Sequence, residues 1–121
     1  MKVTGSCHCK ATIFEVAHEP KTVTHCTCSF CSKRGGLWAY YDPADVSIIK
    51  DEARATYQWR TKMGRHNFCA VCGCTTYTET FDYSKGPPLT DHPMISVNSR
   101  LFDDFDLDAV EHVVIDGKNL W

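Results

Sequence analysis

Eight cysteines stand at positions 7, 9, 26, 28, 31, 69, 72 and 74 of this 121-residue chain. They form three clusters: Cys7-His8-Cys9, Cys26-Thr27-Cys28-Ser29-Phe30-Cys31 and Cys69-Ala70-Val71-Cys72-Gly73-Cys74. An even count permits disulfides. The C-x-C and C-x-x-C spacings nonetheless suit a metal ion better, and a cytosolic chain keeps its thiols reduced. In extended chain, side chains two apart face the same way, so C-x-C brings two thiolates to one ion. C-x-x-C does the same around a tight turn, and Gly73 after Cys72 suits that turn because glycine tolerates positive φ. Zinc stabilises the ligating thiolate far below the free thiol's pKa of about 8.5.

Two pairs complete one tetrahedral site: Cys7 and Cys9 with Cys69 and Cys72. They are distant in sequence, so the ion ties the N-terminal strand to the middle of the chain. Such a closed, structural site contributes roughly 10–16 kcal/mol of apparent binding energy, more than the net stability of many domains. Cys26, Cys28 and Cys31 remain. Three thiolates leave a fourth position for water or a substrate thiol, which is the arrangement of catalytic zinc. The bland alternative is a second structural zinc completed by Cys74 or a histidine. The C-x-C spacing of residues 72 to 74 also lets both thiols serve the first ion by turns.

Neighbouring residues have two readings each. His25 adjoins Cys26 and is either a ligand or proton shuttle, or a residue on the opposite strand face; strand alternation favours the second. His8 faces away from its flanking ligands by the same rule, and His66 is placed to touch the metal region from outside the ligand set. His18, His92 and His112 carry no positional signal. Lys33 and Arg34 either attract the carboxylates of an anionic thiol or are solvent-facing turn charges. Gly35 and Gly36 turn the chain or admit a substrate to the backbone, the turn being favoured. Trp38, Tyr40 and Tyr41 are read as core before they are read as pocket wall, and Trp59 and Phe68 as core. Glu79 and Asp82 are acid–base candidates that nothing places near the zinc.

The elements that must position these groups are short strands. The runs "KATIFEV", "LWAYY", "VSIIK", "RATYQW", "TTYTET" and "MISVN" alternate or are rich in β-branched and aromatic residues. Gly35-Gly36, Asp42-Pro43, Gly64, Gly86-Pro87-Pro88 and His92-Pro93 punctuate them. Helix is confined to a turn after Pro43 and another within residues 106 to 112. The expected fold class is mainly β, with short antiparallel sheets and little helix, in a single domain over residues 1–121.

Composition agrees with a globular chain: 43% of residues are hydrophobic and 12% aromatic. No run approaches the ~18 apolar residues of a membrane span. The opening "MKVTGSCHCK" lacks an apolar signal region, so the expected location is the cytoplasm. The formal net charge is −2 and the 13 basic residues are scattered, which argues against a nucleic-acid surface. The acidic run "DDFDLDAVE" is expected to be a solvated segment.

The residues "GSCHC", "HCTCSFCSKRGG" and "FCAVCG", in that order, resemble the glutathione-dependent formaldehyde-activating enzyme family, which also includes centromere protein V-like proteins. The likeness covers about residues 3 to 100. It implies an Mss4-like all-β fold with two zinc ions per chain, the second of them labile. It implies a structural zinc on Cys7, Cys9, Cys69 and Cys72, and a catalytic zinc on Cys26, Cys28 and Cys31, in agreement with the spacing. It also implies a carbon–sulfur lyase whose partners are a small-molecule thiol such as glutathione and formaldehyde or another small aldehyde. The sequence departs from the family at Cys74, where similar proteins usually carry a small non-thiol residue, and it is shorter than the formaldehyde-activating enzymes themselves. The rival functions are a non-catalytic two-zinc module that binds a thiol or a partner, and a redox sensor acting through Cys74 or a labile zinc loop.

Overall fold

Alternating runs divided by tight turns fold into two sheets in the computed structural model, which describes residues 2–58, 64–82 and 89–120. The strands are β1 (Val3–Ser6), β2 (Thr12–Val16), β3 (Thr22–Cys26), β4 (Trp38–Tyr41), β5 (Val46–Asp51), β6 (Arg54–Tyr57), β7 (Arg65–Cys69), β8 (Thr75–Asp82), β9 (Leu89–Asn98) and β10 (Glu111–Ile115). Two four-residue helices, α1 (Cys31–Arg34) and α2 (Gly117–Leu120), interrupt them. The first sheet runs β1-β2-β5 and the second β10-β3-β4-β9-β8-β7-β6. The protein is mainly β, and its pairings are antiparallel except that β10 lies parallel to β3.

Sequence alternation places the core. Thr12, Phe14 and Val16 of β2 are fully buried, and Ile13 and Glu15 of the other face are not. Val23, Ala39, Tyr41, Tyr77 and Val97 from the large sheet meet Val3, Phe14 and Val16 from the small one in one apolar cluster. Gly5 lies opposite Phe14, and a Cβ there would come within 2.4 Å of the Phe14 ring, so the glycine makes room for the aromatic.

Three expectations change. The segment "DDFDLDAVE" is solvated at its acidic residues and Ala109, whereas Phe105, Leu107 and Val110 turn inward onto the core, with Phe105 edge-on to buried Phe102 at 5.3 Å. Pro93 is not in a turn but inside β9, opposite Phe81 and beside a register shift, where a strand tolerates the missing N–H. Phe68 is half-buried; on β7 the buried residues are Asn67 and Cys69. The expected helical turns after Pro43 and within 106 to 112 are single 3-10 turns at Pro43–Asp45 and Leu107–Ala109. Trp59 and the Gly86-Pro87-Pro88 turn lie outside the described residues.

Candidate metal centres

Cys7 and Cys9 occupy the β1–β2 hairpin tip, and Cys69 and Cys72 the β7–β8 tip. Backbone bonds close each tip: Cys7 N–H to Thr12 O at 3.1 Å and Lys10 N–H to Cys7 O at 3.0 Å in the first; Cys69 N–H to Cys74 O at 2.9 Å and Gly73 N–H to Cys69 O at 2.8 Å in the second. Both turns need positive φ, supplied by Lys10 at 65° and Gly73 at 81°. The four sulfurs converge within 4.8 Å of one another. Cys7 and Cys9 Sγ are 3.8 Å apart and Cys9 and Cys69 Sγ 3.6 Å. A tetrahedron with Zn–S bonds of about 2.3 Å has edges of about 3.8 Å.

The protonation pattern is that of thiols sharing one charge site. The Cys74 backbone N–H holds the Cys72 thiol down at about 5. For Cys9, an interaction with the Ala11 N–H pulls downward, but burial and the thiols of Cys69, Cys7 and Cys72 outweigh it and hold the group up at about 11. Four crowded sulfurs cannot all ionise without a cation among them. Donor type, number and spacing therefore fit a thiophilic, tetrahedral ion.

The second group is Cys26, Cys28 and Cys31, whose sulfurs also lie within 4.8 Å of one another. Cys26 ends β3, and the chain then winds into α1 at Cys31. The Cys31 N–H donates to Cys28 Sγ at 3.3 Å, and the Ser32 N–H to Cys28 O at 2.9 Å. Thr27, between two of the sulfurs, is held by β10 and the residues after it. Its N–H donates to Ile115 O at 3.0 Å, its hydroxyl reaches Asp116 Oδ1 at 3.3 Å, and the Lys118 N–H donates to that hydroxyl at 3.3 Å. Hydrogen bonding to Cys26, burial and the neighbouring sulfur charges push the Cys31 thiol strongly upward. These three also fit a thiophilic ion, with one tetrahedral position left unclaimed by the group.

Arg34 ends α1, and its side chain turns inward instead of facing solvent. Its guanidinium carbon sits 4.4 Å from the ring centres of both Phe30 and Trp38. Nη2 donates to Thr75 Oγ1 at 2.9 Å and Nη1 to His66 Nδ1 at 3.0 Å. Arginine has no acceptor, so Nδ1 carries the lone pair and neutral His66 keeps its proton on Nε2. Burial, then the Arg34 charge, pulls the His66 pKa down to about 4. His66 packs edge-on to Phe30 at 4.7 Å and thus belongs to the three-thiol loop, not to the four-thiol tip that it precedes in sequence. The Gly35 C-cap at φ 69° turns the chain out of α1, and a Cβ on Gly36 would come within 2.7 Å of the Trp38 indole.

Tyr40 also departs from the core reading. It remains 47% exposed, whereas Trp38 and Tyr41 are buried. Burial of its hydroxyl end, then the charges of Cys26, Cys31 and Cys28, pushes its pKa up to about 12. Cys74 lies outside the three-thiol group; its thiol interacts with Cys72 and the His8 backbone. His8 and His25 are exposed, and His25 alternates with buried Cys26. His18 stands near Asp45 at 3.7 Å, and His92 near Asp91 at 3.8 Å. Glu79 is committed to Arg54 and Arg65 at 3.8 and 3.6 Å. The Asp82 side chain lies outside the description. Lys33 is exposed.

A mainly β scaffold that gathers two separate thiol sets, each able to hold a metal ion, defines a cysteine-rich metal-site protein. The chain belongs to the glutathione-dependent formaldehyde-activating enzyme family, whose model matches residues 2–113. A Rhodobacter sphaeroides protein of known crystal structure is similar, with a TM-score of 0.73 and 25% identity, over 92% of this chain and 97% of that one. Among the described residues no helix is long and apolar enough to cross a membrane.

Proposed function

We propose that the protein is a zinc-dependent carbon–sulfur lyase that joins glutathione, or a similar thiol, to formaldehyde or another small aldehyde. The observation that carries this reading is the three-sulfur group, gathered apart from a complete four-sulfur group in a chain of this family. Cys7, Cys9, Cys69 and Cys72 hold a structural zinc within one domain spanning residues 1–121. Cys26, Cys28 and Cys31 hold the catalytic one. Zinc held by these three sulfurs would supply Lewis acidity, which would keep a substrate thiol ionised at neutral pH.

In the reaction the thiol sulfur bonds to the aldehyde carbon, the carbonyl π bond breaks, and the proton lost from the thiol ends on the oxygen. The product is an S-hydroxymethyl thiol. Burial and the sulfur charges keep the Tyr40 hydroxyl protonated at neutral pH, so it serves as a hydrogen-bond donor to the developing alkoxide and not as a base. Reduced cysteines in both sites suit a cytoplasmic enzyme.

Exchange NMR tests this. Zinc-replete protein is expected to speed interconversion of formaldehyde plus glutathione with S-(hydroxymethyl)glutathione, and Cys28→Ser to lose one zinc together with that acceleration. A wild-type protein that carries two zincs and leaves the exchange rate at its uncatalysed value overturns the enzyme reading. Thiol binding under those conditions would point to a non-catalytic carrier.

A further inference from the structure

We infer that Arg34 is the positioning residue of the three-thiol centre: clamped between Phe30 and Trp38, its guanidinium is the fixed positive charge that admits a fourth, substrate thiolate beside Cys26, Cys28 and Cys31. This inference rests on the functional reading above and names how the same site tolerates its substrate.

The need is electrostatic. Three thiolates already outweigh a divalent ion by one negative charge, and a fourth doubles the excess in a partly dry site. Like charges brought together there repel strongly unless a cation is built in. Arg34 meets that need in three ways. It follows Cys31 in the same short helix, whose last turn is closed by the Gly35 N–H to Cys31 O bond of 3.2 Å. Burial works against its charge while Cys31 and then Cys28 favour it, in keeping with a place on the same short helix as Cys31.

It is also held rigidly. Two rings at 4.4 Å, Thr75 and His66 fix the plane of the fork, and cation–π contacts of this kind contribute about 0.5–2 kcal/mol each. Among the described residues no carboxylate pairs with it: Thr75 is uncharged, and neutral His66 accepts through a lone pair. Finally, its Nε is buried and has no hydrogen-bond partner among the described residues. A buried N–H left over after the other contacts are made is a donor available to an added anion.

Two accounts are thereby separated. An arginine gripping a carboxylate of glutathione would present both ends of its fork to the ligand, whereas here Nη1 and Nη2 are each tied to the protein, by His66 and Thr75. The charge is therefore directed at sulfur, and its effect extends to a thiol with no carboxylate.

The test uses protein loaded with cobalt(II) in both sites and titrated with glutathione and with 2-mercaptoethanol, following the sulfur-to-cobalt charge-transfer band. Arg34→Met, which removes charge but keeps length, is expected to weaken both thiols at least about tenfold and to raise the pH midpoint of binding. The four-thiol cobalt spectrum stays unchanged. Arg34→Lys restores charge without the fork and recovers binding to within about threefold of wild type. Wild-type affinity in Arg34→Met overturns the inference, as does a loss confined to glutathione, which marks a carboxylate anchor. If Arg34→Met does not fold, Arg34→Lys decides alone: a tenfold loss there assigns the residue to packing. Wild-type protein that takes up no thiol overturns the functional reading itself, and this inference falls with it.

Discussion

At the scale of single residues, Cys72 and Cys74 separate cleanly although they stand two apart. Cys72 points its sulfur into the four-thiol group, where the Cys74 backbone N–H steadies it as thiolate. The thiol of Cys74 is an outer neighbour, and its main contribution is the carbonyl that closes the hairpin with the Cys69 N–H. A backbone role survives a side-chain change. Cys74→Ser is expected to keep full metal content and to shift stability by no more than about 0.5 kcal/mol. Cys72→Ser is expected to lose the structural metal and several kcal/mol with it. Native mass spectrometry with thermal melts separates the two; metal loss in Cys74→Ser would make that thiol a ligand.

At the scale of elements, β1 and β2 must pair closely enough to deliver Cys7 and Cys9 to one point. Gly5 permits this, because the Phe14 ring lies across the space that a side chain would fill. Gly5→Ala forces a fully buried ring to shift, and such overpacking costs about 1–3 kcal/mol. Urea unfolding should show that loss, and the displaced strand should release its metal faster to a chelator. Unchanged stability would mean that the ring relaxes freely. The other thiol loop depends on a different support. β10 docks parallel to β3 with Ile115 opposite Cys26, and residues 115 to 118 grip Thr27.

At the scale of the molecule, the four-thiol site joins the tip of the small sheet to the tip of the large one, with the shared apolar cluster between the sheets. Removing an ion held there would leave four crowded thiols and release that tie. Chelation is expected to lower the melting temperature by at least about 10 °C and to broaden the transition. Acid acts in the same direction. A thiolate held near 5 contributes fully above the unfolded thiol's pKa of about 8.5, and that contribution is lost progressively as pH falls from there through about 5. Calorimetry of metal-loaded and metal-free protein checks both, and an unaltered melting point would deny the site its structural role.

The sequence by itself determined which strands form where alternation or β-branched and aromatic content is strong, as in β2, β4, β5 and β6, because these are local properties. It also pointed to a division of the sulfurs into a four and a three, because C-x-C and C-x-x-C each bring two thiols together, while the place of Cys74 stayed open. β3, β7 and β10 gave no usable signal: "TVTHC" and "RHNFC" place polar residues on both faces, and β10 is largely exposed at a sheet edge. Only the tertiary structure decided that Arg34 turns inward, that Tyr40 stays exposed and within the influence of the sulfur charges, and that His66 serves the three-thiol loop. Those assignments need partners from distant strands, such as Thr75 and His66 for Arg34, and no local pattern encodes which strand will lie across the sheet.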